Sequence, residues 1–179
     1  MPQDRDAAPH RRFFVITGSS GAGKSALVAE LARRGFATVP EPGRRLVEGG
    51  AATPWDDPVG FAQAAIRLAV DDYEKARDLD GPVFFDRGLI DALVAHAHAS
   101  GGPFLETLVR AHPYAPTVLF APPWPDIYEQ TPERRHDITE AAAEADRLAA
   151  SYPSLGYRPV ELPKSDVEDR ADFVLARVS

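Results

Sequence analysis

Gly18-Ser19-Ser20-Gly21-Ala22-Gly23-Lys24-Ser25 places glycines, a lysine and a hydroxyl at the spacing G-x-x-x-x-G-K-S. Glycines let a backbone curl until successive N–H groups point at one anion. A lysine at that place reaches the β- and γ-phosphates, and the following hydroxyl sits on Mg²⁺. The apolar run Phe13-Phe14-Val15-Ile16 enters the motif, and an alanine- and leucine-rich segment, Ala26 to Arg34, leaves it as a helix. Strand before and helix after is the setting the motif requires, because the helix adds its positive dipole end to the amides. The chemistry indicated is the grip of a nucleoside triphosphate by Gly18, Ser20, Gly21, Ala22, Gly23, Lys24, Ser25 and Ala26.

In an open parallel sheet, ligands bind beyond the carboxyl ends of the strands, so residues just after each strand carry the information. Strand two leads into Glu41, strand three into Asp86 and Arg87, strand four into Pro122–Trp124, and strand five into Pro163 and Lys164. Asp86 is the natural second anchor for Mg²⁺; its alternative role is to cap the helix that follows. Glu41 is placed to take the proton of an attacking hydroxyl or to hold the acceptor molecule, against the alternative of a solvated loop acid. Arg87 can bind an anionic group of that acceptor, help stabilise the migrating phosphoryl group, or pair with Glu41. Arg134 and Arg135 lie in a polar segment after strand four. There they read as a lid that stabilises the migrating phosphoryl group, or as a solvated basic pair. Arg44 and Arg45 raise the positive potential on the acceptor side, and Gln63 lies on the helix expected to wall it.

These side chains need a frame. Five short apolar runs alternate with helical patterns, which predicts a parallel α/β sheet. The strands are expected at Phe13–Thr17, Phe36–Pro40, Val83–Phe85, Thr117–Ala121 and Arg158–Leu162. Val83-Phe84-Phe85 is apolar throughout, as a strand covered on both faces should be. Asp57-Pro58 reads as cap and first residue of a helix reaching Leu79, with Val59, Ala62, Ile66, Ala69, Val70 and Tyr73 on one face. Further helices are expected at Ile90–Ala99, Phe104–Ala111 and Asp137–Tyr152. A last helix runs to the C-terminus, opened by a capping box of Ser165 and Glu168. Pro42–Trp55 reads as a glycine- and proline-rich loop.

The 179 residues suit one domain, expected over 13–179, behind a frayed polar tail over 1–12. There is no cysteine, which excludes disulfides and thiolate chemistry. No apolar run reaches the length of a membrane span and no signal peptide is visible, so the expected compartment is the cytoplasm. The net charge of −7 argues against a nucleic-acid surface. His96 and His98 are two apart on a helix, face different ways and form no metal set.

Glu41-Pro42-Gly43 with Asp86-Arg87 resembles the thymidylate kinase and deoxynucleoside kinase group of phosphate-loop (P-loop) kinases. Asp86-Arg87-Gly88 with Ile90-Asp91, then Leu155-Gly156-Tyr157, Leu162-Pro163 and Val167-Glu168-Asp169-Arg170, resembles more closely a bacterial family of kinase-like AAA-type ATPases. The resemblance spans from about Phe13 to the end. It implies a three-layer P-loop NTPase fold of five parallel strands in the order 2-3-1-4-5. It also implies ATP with Mg²⁺, a lid of about 125–137 bearing Arg134 and Arg135, and Glu41 and Arg87 facing the acceptor. Pro163 and Lys164 would border the adenine. The function expected is phosphoryl transfer from ATP to a small hydroxyl or phosphate acceptor. A nucleotide-dependent switch and a plain ATPase stand as the alternatives.

Overall fold

A computed structural model describes residues 9–50, 53–129 and 138–178. The strands are β1 (Phe13–Gly18), β2 (Ala37–Val39), β3 (Val83–Asp86), β4 (Thr117–Ala121) and β5 (Arg158–Glu161). Every pairing is parallel and the order is β2-β3-β1-β4-β5, as the resemblance implied. The helices are α1 (Lys24–Arg33), α2 (Pro42–Glu48), α3 (Pro58–Ala76), α4 (Leu89–Ser100), α5 (Glu106–Ala111), α6 (Ile138–Ser154) and α7 (Val167–Val178).

Strand period decides which helices cover which face. On β1, Phe13 and Val15 join a core with α3, α4 and α6, while Phe14 and Ile16 join a second core with α1 and α7. Val83 and Phe85 repeat the first choice and Phe84 the second. In both cores each fully buried large side chain contributes about 1.5–3 kcal/mol. In the first, Tyr73 lies edge-on to Phe13 at 5.1 Å and donates its hydroxyl to the Pro113 carbonyl at 2.6 Å. Burial pushes that phenol up to about 12. The outermost strand, β5, exposes Arg158 and Glu161 and carries Pro159, devices that blunt a sheet edge.

Local signals are mostly met. Asp57 accepts the Gly60 amide at 2.9 Å, with Pro58 the first residue of α3. Gly35, at φ +92°, follows the end of α1. Two expectations fail. The stretch from Pro42 is not all loop: Pro42–Glu48 is helix, with Glu41 at its cap and Pro42 in the first turn. Pro42 pre-sets a helical φ and loses nothing by lacking an N–H there, so a residue that read as a loop signal starts a helix. The last helix is capped by Asp166, which accepts the Asp169 amide at 2.9 Å, whereas the Ser165 hydroxyl is buried without a hydrogen bond. One residue of displacement moves Ser165 off the cap position, so no Ser165–Glu168 box forms.

The first and last helices are tied by charge. Glu30 accepts from Arg33 and Arg34 at 2.7 Å each, and Arg34 reaches Asp172 of α7 at 2.5 Å. The hydrogen bonds from Arg33 and Arg34 hold the Glu30 carboxyl down at about 2. A depressed folded value means stability present above the unfolded value of 4.5 and lost as pH falls toward 2. Acid titration of stability by circular dichroism should therefore lose part of its slope in that window when Glu30→Gln is made. An unchanged acid limb would remove Glu30 from the account.

Candidate phosphate-loop site and its adjoining chamber

The phosphate loop leaves β1 at Gly18 and enters α1 at Lys24. Gly21 and Gly23 sit at φ +74° and +75°, the left-handed region that glycine reaches without a Cβ penalty. Crowding adds a second reason for each. A Cβ on Gly21 would stand 2.7 Å from the Tyr128 ring, and one on Gly23 would stand 2.6 Å from the Arg170 guanidinium. Gly18 answers to β4 instead: its Cβ would meet the Ala121 carbonyl oxygen at 2.1 Å.

Lys24 and Ser25 fall in the first turn of α1. Lys24 is buried, 6% exposed, and donates to the Ser19 carbonyl at 2.5 Å. Burial, then the charge of Arg87, pulls its ammonium down from 10.5 to about 8. Ser25 Oγ donates to Asp86 Oδ2 at 2.8 Å. The second carboxylate oxygen, Oδ1, is buried with no hydrogen-bond partner. Burial, then the neighbouring Glu41 charge, pushes the Asp86 carboxyl up from its usual range. A hard cation wants a hydroxyl and a carboxylate side by side, and an orphaned buried carboxylate oxygen is what such an ion would satisfy. Ser25 and Asp86 therefore fit Mg²⁺. The capping alternative for Asp86 is not taken up; Asp91 instead accepts the Gly88 amide at 2.9 Å at the start of α4.

Arg87 gathers three carboxylates: Glu41 at 3.4 Å, Glu144 at 3.2 Å and Asp91 at 3.6 Å. It is the one non-glycine residue at positive φ among those described, at +60°, and its amide donates to Ile16 O at 2.9 Å. Burial works to lower its guanidinium, but Glu144, Glu41 and Asp91 outweigh that, and the net shift is upward. Asp91 is fully occupied, also accepting Thr17 Oγ1 and, at 2.7 Å, the Tyr152 hydroxyl.

From this cluster a cavity of about 720 Å³ opens, within the range of ligand pockets. At one end it is lined by Ser20, Gly21, Gly23, Lys24, Ser25 and Ala26. Glu41 and Arg87 stand in the middle, and α2, α3, α4 and α6 wall the remainder with Arg44, Phe61, Ala65, Val94 and Leu148 among the lining residues. Of the expected site residues, Gly18 and Ala22 lie behind the loop rather than on the cavity. Gln63 is exposed and outside the lining; its helix turns Phe61, Ala62 and Ala65 inward instead, because a residue between two inward positions on α3 points away. Arg45 is also corrected. It forks onto Asp72 of α3, with the nearer pair short and the other at 3.2 Å, so its charge is spent on packing α2 to α3. Pro163 is half-buried and Lys164 exposed, both beyond β5 and outside the cavity lining. Arg134 and Arg135 lie outside the described residues.

Several contributors escaped the sequence reading. Glu140, Glu144, Arg147 and Leu148 line the chamber from α6, and His98 from α4. The spacing of the α6 residues is a stripe on one helix face, a signal present in the sequence but masked by the surrounding alanines. Arg170 of α7 is 3% exposed and donates to the Ala22 carbonyl at 3.0 Å, with Trp124 5.5 Å from its guanidinium. By holding a phosphate-loop carbonyl on the outer side it favours the curl that turns the amides inward.

Parallel order 2-3-1-4-5, a lysine-bearing loop after β1 and a serine–aspartate pair between β1 and β3 define a P-loop protein of kinase-like fold. A family model described as AAA domain (AAA_28) matches residues 13–170, and the chain belongs to that family. Among solved structures, deoxyadenosine kinase from M. mycoides, with the products dCMP and dCDP bound, superposes with a TM-score of 0.67 at 12% identity, covering 93% of this chain and 98% of that one. Shikimate kinase from Acinetobacter baumannii, in complex with shikimate, gives 0.59 at 13%, covering 96% and 94%. At such identity the likeness is one of fold. No curated protein sequence matches the chain.

Proposed function

We propose that this protein is a small-molecule kinase that transfers the γ-phosphoryl group of ATP to an acceptor held in the chamber. The observation that carries the reading is the continuity of the cavity: Lys24 and Ser25 at one end, a second compartment walled by Phe61, Ala65, Val94 and Leu148 with Arg44 and Arg147 at the other, and Glu41 with Arg87 between them. A switch needs no such second compartment, and a plain ATPase needs room only for water. The kinase-like fold supports the same reading.

In this mechanism the amides of Gly21–Ser25 and the Lys24 ammonium take the phosphates. Ser25 and Asp86 would hold Mg²⁺, which when bound would draw off phosphate charge. Glu41 orients the acceptor hydroxyl and accepts its proton as that oxygen forms a bond to the γ-phosphorus and the bond to the β-phosphate oxygen breaks. Arg87 holds Glu41 in place through their ion pair. Pro163 and Lys164 border the base, and Arg134 and Arg135 close over the phosphates.

The test is ADP release in the presence of nucleosides, nucleotides, sugars, hydroxy acids and antibiotics. At least one class is expected to raise release well above the acceptor-free rate, and Asp86→Asn should suppress it by about 100-fold or more, as loss of a charge-stabilising group in a phosphoryl-transfer site does. Release that is equally fast with every class and with none would replace the kinase reading by an ATPase.

A further inference from the structure

We propose that the acceptor is an anion: a molecule carrying a hydroxyl for phosphorylation and, roughly one helical turn away, a carboxylate or phosphate gripped by Arg44 and Arg147. This rests on the kinase reading for the hydroxyl and on the chamber's own charges for the anion.

Glu41, Asp91 and Glu144 converge on Arg87 at 3.4, 3.6 and 3.2 Å. One guanidinium thus serves three carboxylates, so Arg87 is committed to protein acids and is not the group an anion would find. Glu140, the other acid on the lining, is also engaged. The cations differ. Arg45 is spent on Asp72. Arg44 and Arg147 line the chamber half-buried, and neither side chain has a hydrogen bond or ion pair among the described residues.

Both arginines line the one cavity, and helix spacing sets each beside an acid that Arg87 holds. Arg44 of α2 follows the cap residue Glu41 by three, and Arg147 follows Glu144 by three on α6. Residues three apart share a helix face, with Cβ atoms about 5–6 Å apart. Arg87 clasps Glu41 and Glu144 at the phosphate end, so the walls are pinned there and the next turn of each presents an arginine to the same space. Half-buried guanidinium groups without partners cost free energy that a planar carboxylate or a phosphate recovers. The lining carries four cations, Lys24, Arg44, Arg87 and Arg147, against four carboxylates, Glu41, Asp91, Glu140 and Glu144, so an anion is favoured only locally, where Arg44 and Arg147 stand without protein partners among the described residues. Phe61 and Leu148 leave an apolar wall for the body of the molecule.

The test is calorimetric titration of protein saturated with Mg²⁺ and a non-hydrolysable ATP analogue. The probes are matched pairs: shikimate against its methyl ester for a carboxylate, and dCMP against deoxycytidine for a phosphate. At least one charged member should bind about tenfold or more tightly than its neutral twin, and which pair shows the gap tells carboxylate from phosphate. Arg44→Gln and Arg147→Gln should each narrow the gap several-fold, while Arg67→Gln, on the exposed face of α3, should leave it unchanged. Neutral members binding equally well, a gap surviving both chamber variants, or no charged member binding at all would overturn the proposal. The kinase reading fails separately. If the analogue binds and a neutral acceptor drives ADP release, that reading stands and this one falls. If the analogue does not bind, the kinase reading falls, and the same pairs titrated without nucleotide against the two chamber variants decide this one.

Discussion

Lys24→Ala is expected to lower kcat/KM for nucleotide turnover by about 100-fold or more while leaving the protein folded. The side chain is buried beside Ser25 and Asp86, and its ammonium is held to the loop by the Ser19 carbonyl. It is the group best placed to meet charge on a transferring phosphoryl. The same burial makes it costly to the empty fold, since its value falls from 10.5 to about 8. The sign follows from proton counting. Between pH 8 and 10.5 the unfolded chain keeps a proton that folded Lys24 has released, so Lys24 makes stability rise with pH across that window. Lys24→Ala should lose this rise, and at pH 7 it should be no less stable than the parent. Nucleotide acts in the opposite sense. Triphosphate beside Lys24 restores its proton, so affinity should weaken as pH climbs through about 8, and calorimetry in buffers of different ionisation heat should record proton uptake at pH 9. The variant should show none. Turnover of the variant at the parental rate would sink the assignment of the loop.

Arg87→Ala should be the most destabilising single change at the site, by about 3–5 kcal/mol. Its guanidinium is only 11% exposed and separates Glu41, Asp91 and Glu144, which come from the cap of α2, from α4 and from α6. Without it those acids face one another, close to Asp86, with no counter-charge between them. For a chain of this size the melting temperature should drop by roughly 6–20 °C. Glu144→Gln added to Arg87→Ala should recover part of the loss, because one repelling charge is gone. Arg87→Lys should fall between parent and alanine, since an ammonium keeps the charge but not the fork that reaches several partners. An Arg87→Ala protein that melts with the parent would mean the three ion pairs contribute nothing net.

The two variants separate roles that share one site. Lys24 matters for what binds and little for whether the chain folds. Arg87 holds the walls of the chamber in register, and any effect on turnover reaches the chemistry through Glu41.

Much of this was legible in the chain. The glycine spacing before Lys24-Ser25, the apolar triplets of the strands and the Asp57-Pro58 helix start are local signals, each enforced by backbone sterics or a neighbouring amide, so they survive folding unchanged. The strand order came with the family resemblance, and the position of Asp86 at a strand end put it next to Ser25 by the parallel register of β1 and β3. Local reading failed where a single residue of offset decides the outcome, as at Ser165 and Asp166, or where one residue type serves two purposes, as at Pro42.

By itself, then, the sequence determined the loop, the sheet and the pairing of Ser25 with Asp86, because these depend on short-range sterics and on strand ends that parallel pairing brings together. Only the tertiary structure decided which charges are free. Arg44 and Arg45 are neighbours of the same type, yet the crossing of α2 over α3 gives one of them Asp72 and leaves the other facing the chamber. Glu144 and Arg147 join the site because α6 packs across the ends of the strands, and Arg170 reaches the phosphate loop because α7 packs on α1. Partnership among long side chains is settled by helix packing, and no spacing along the chain encodes it.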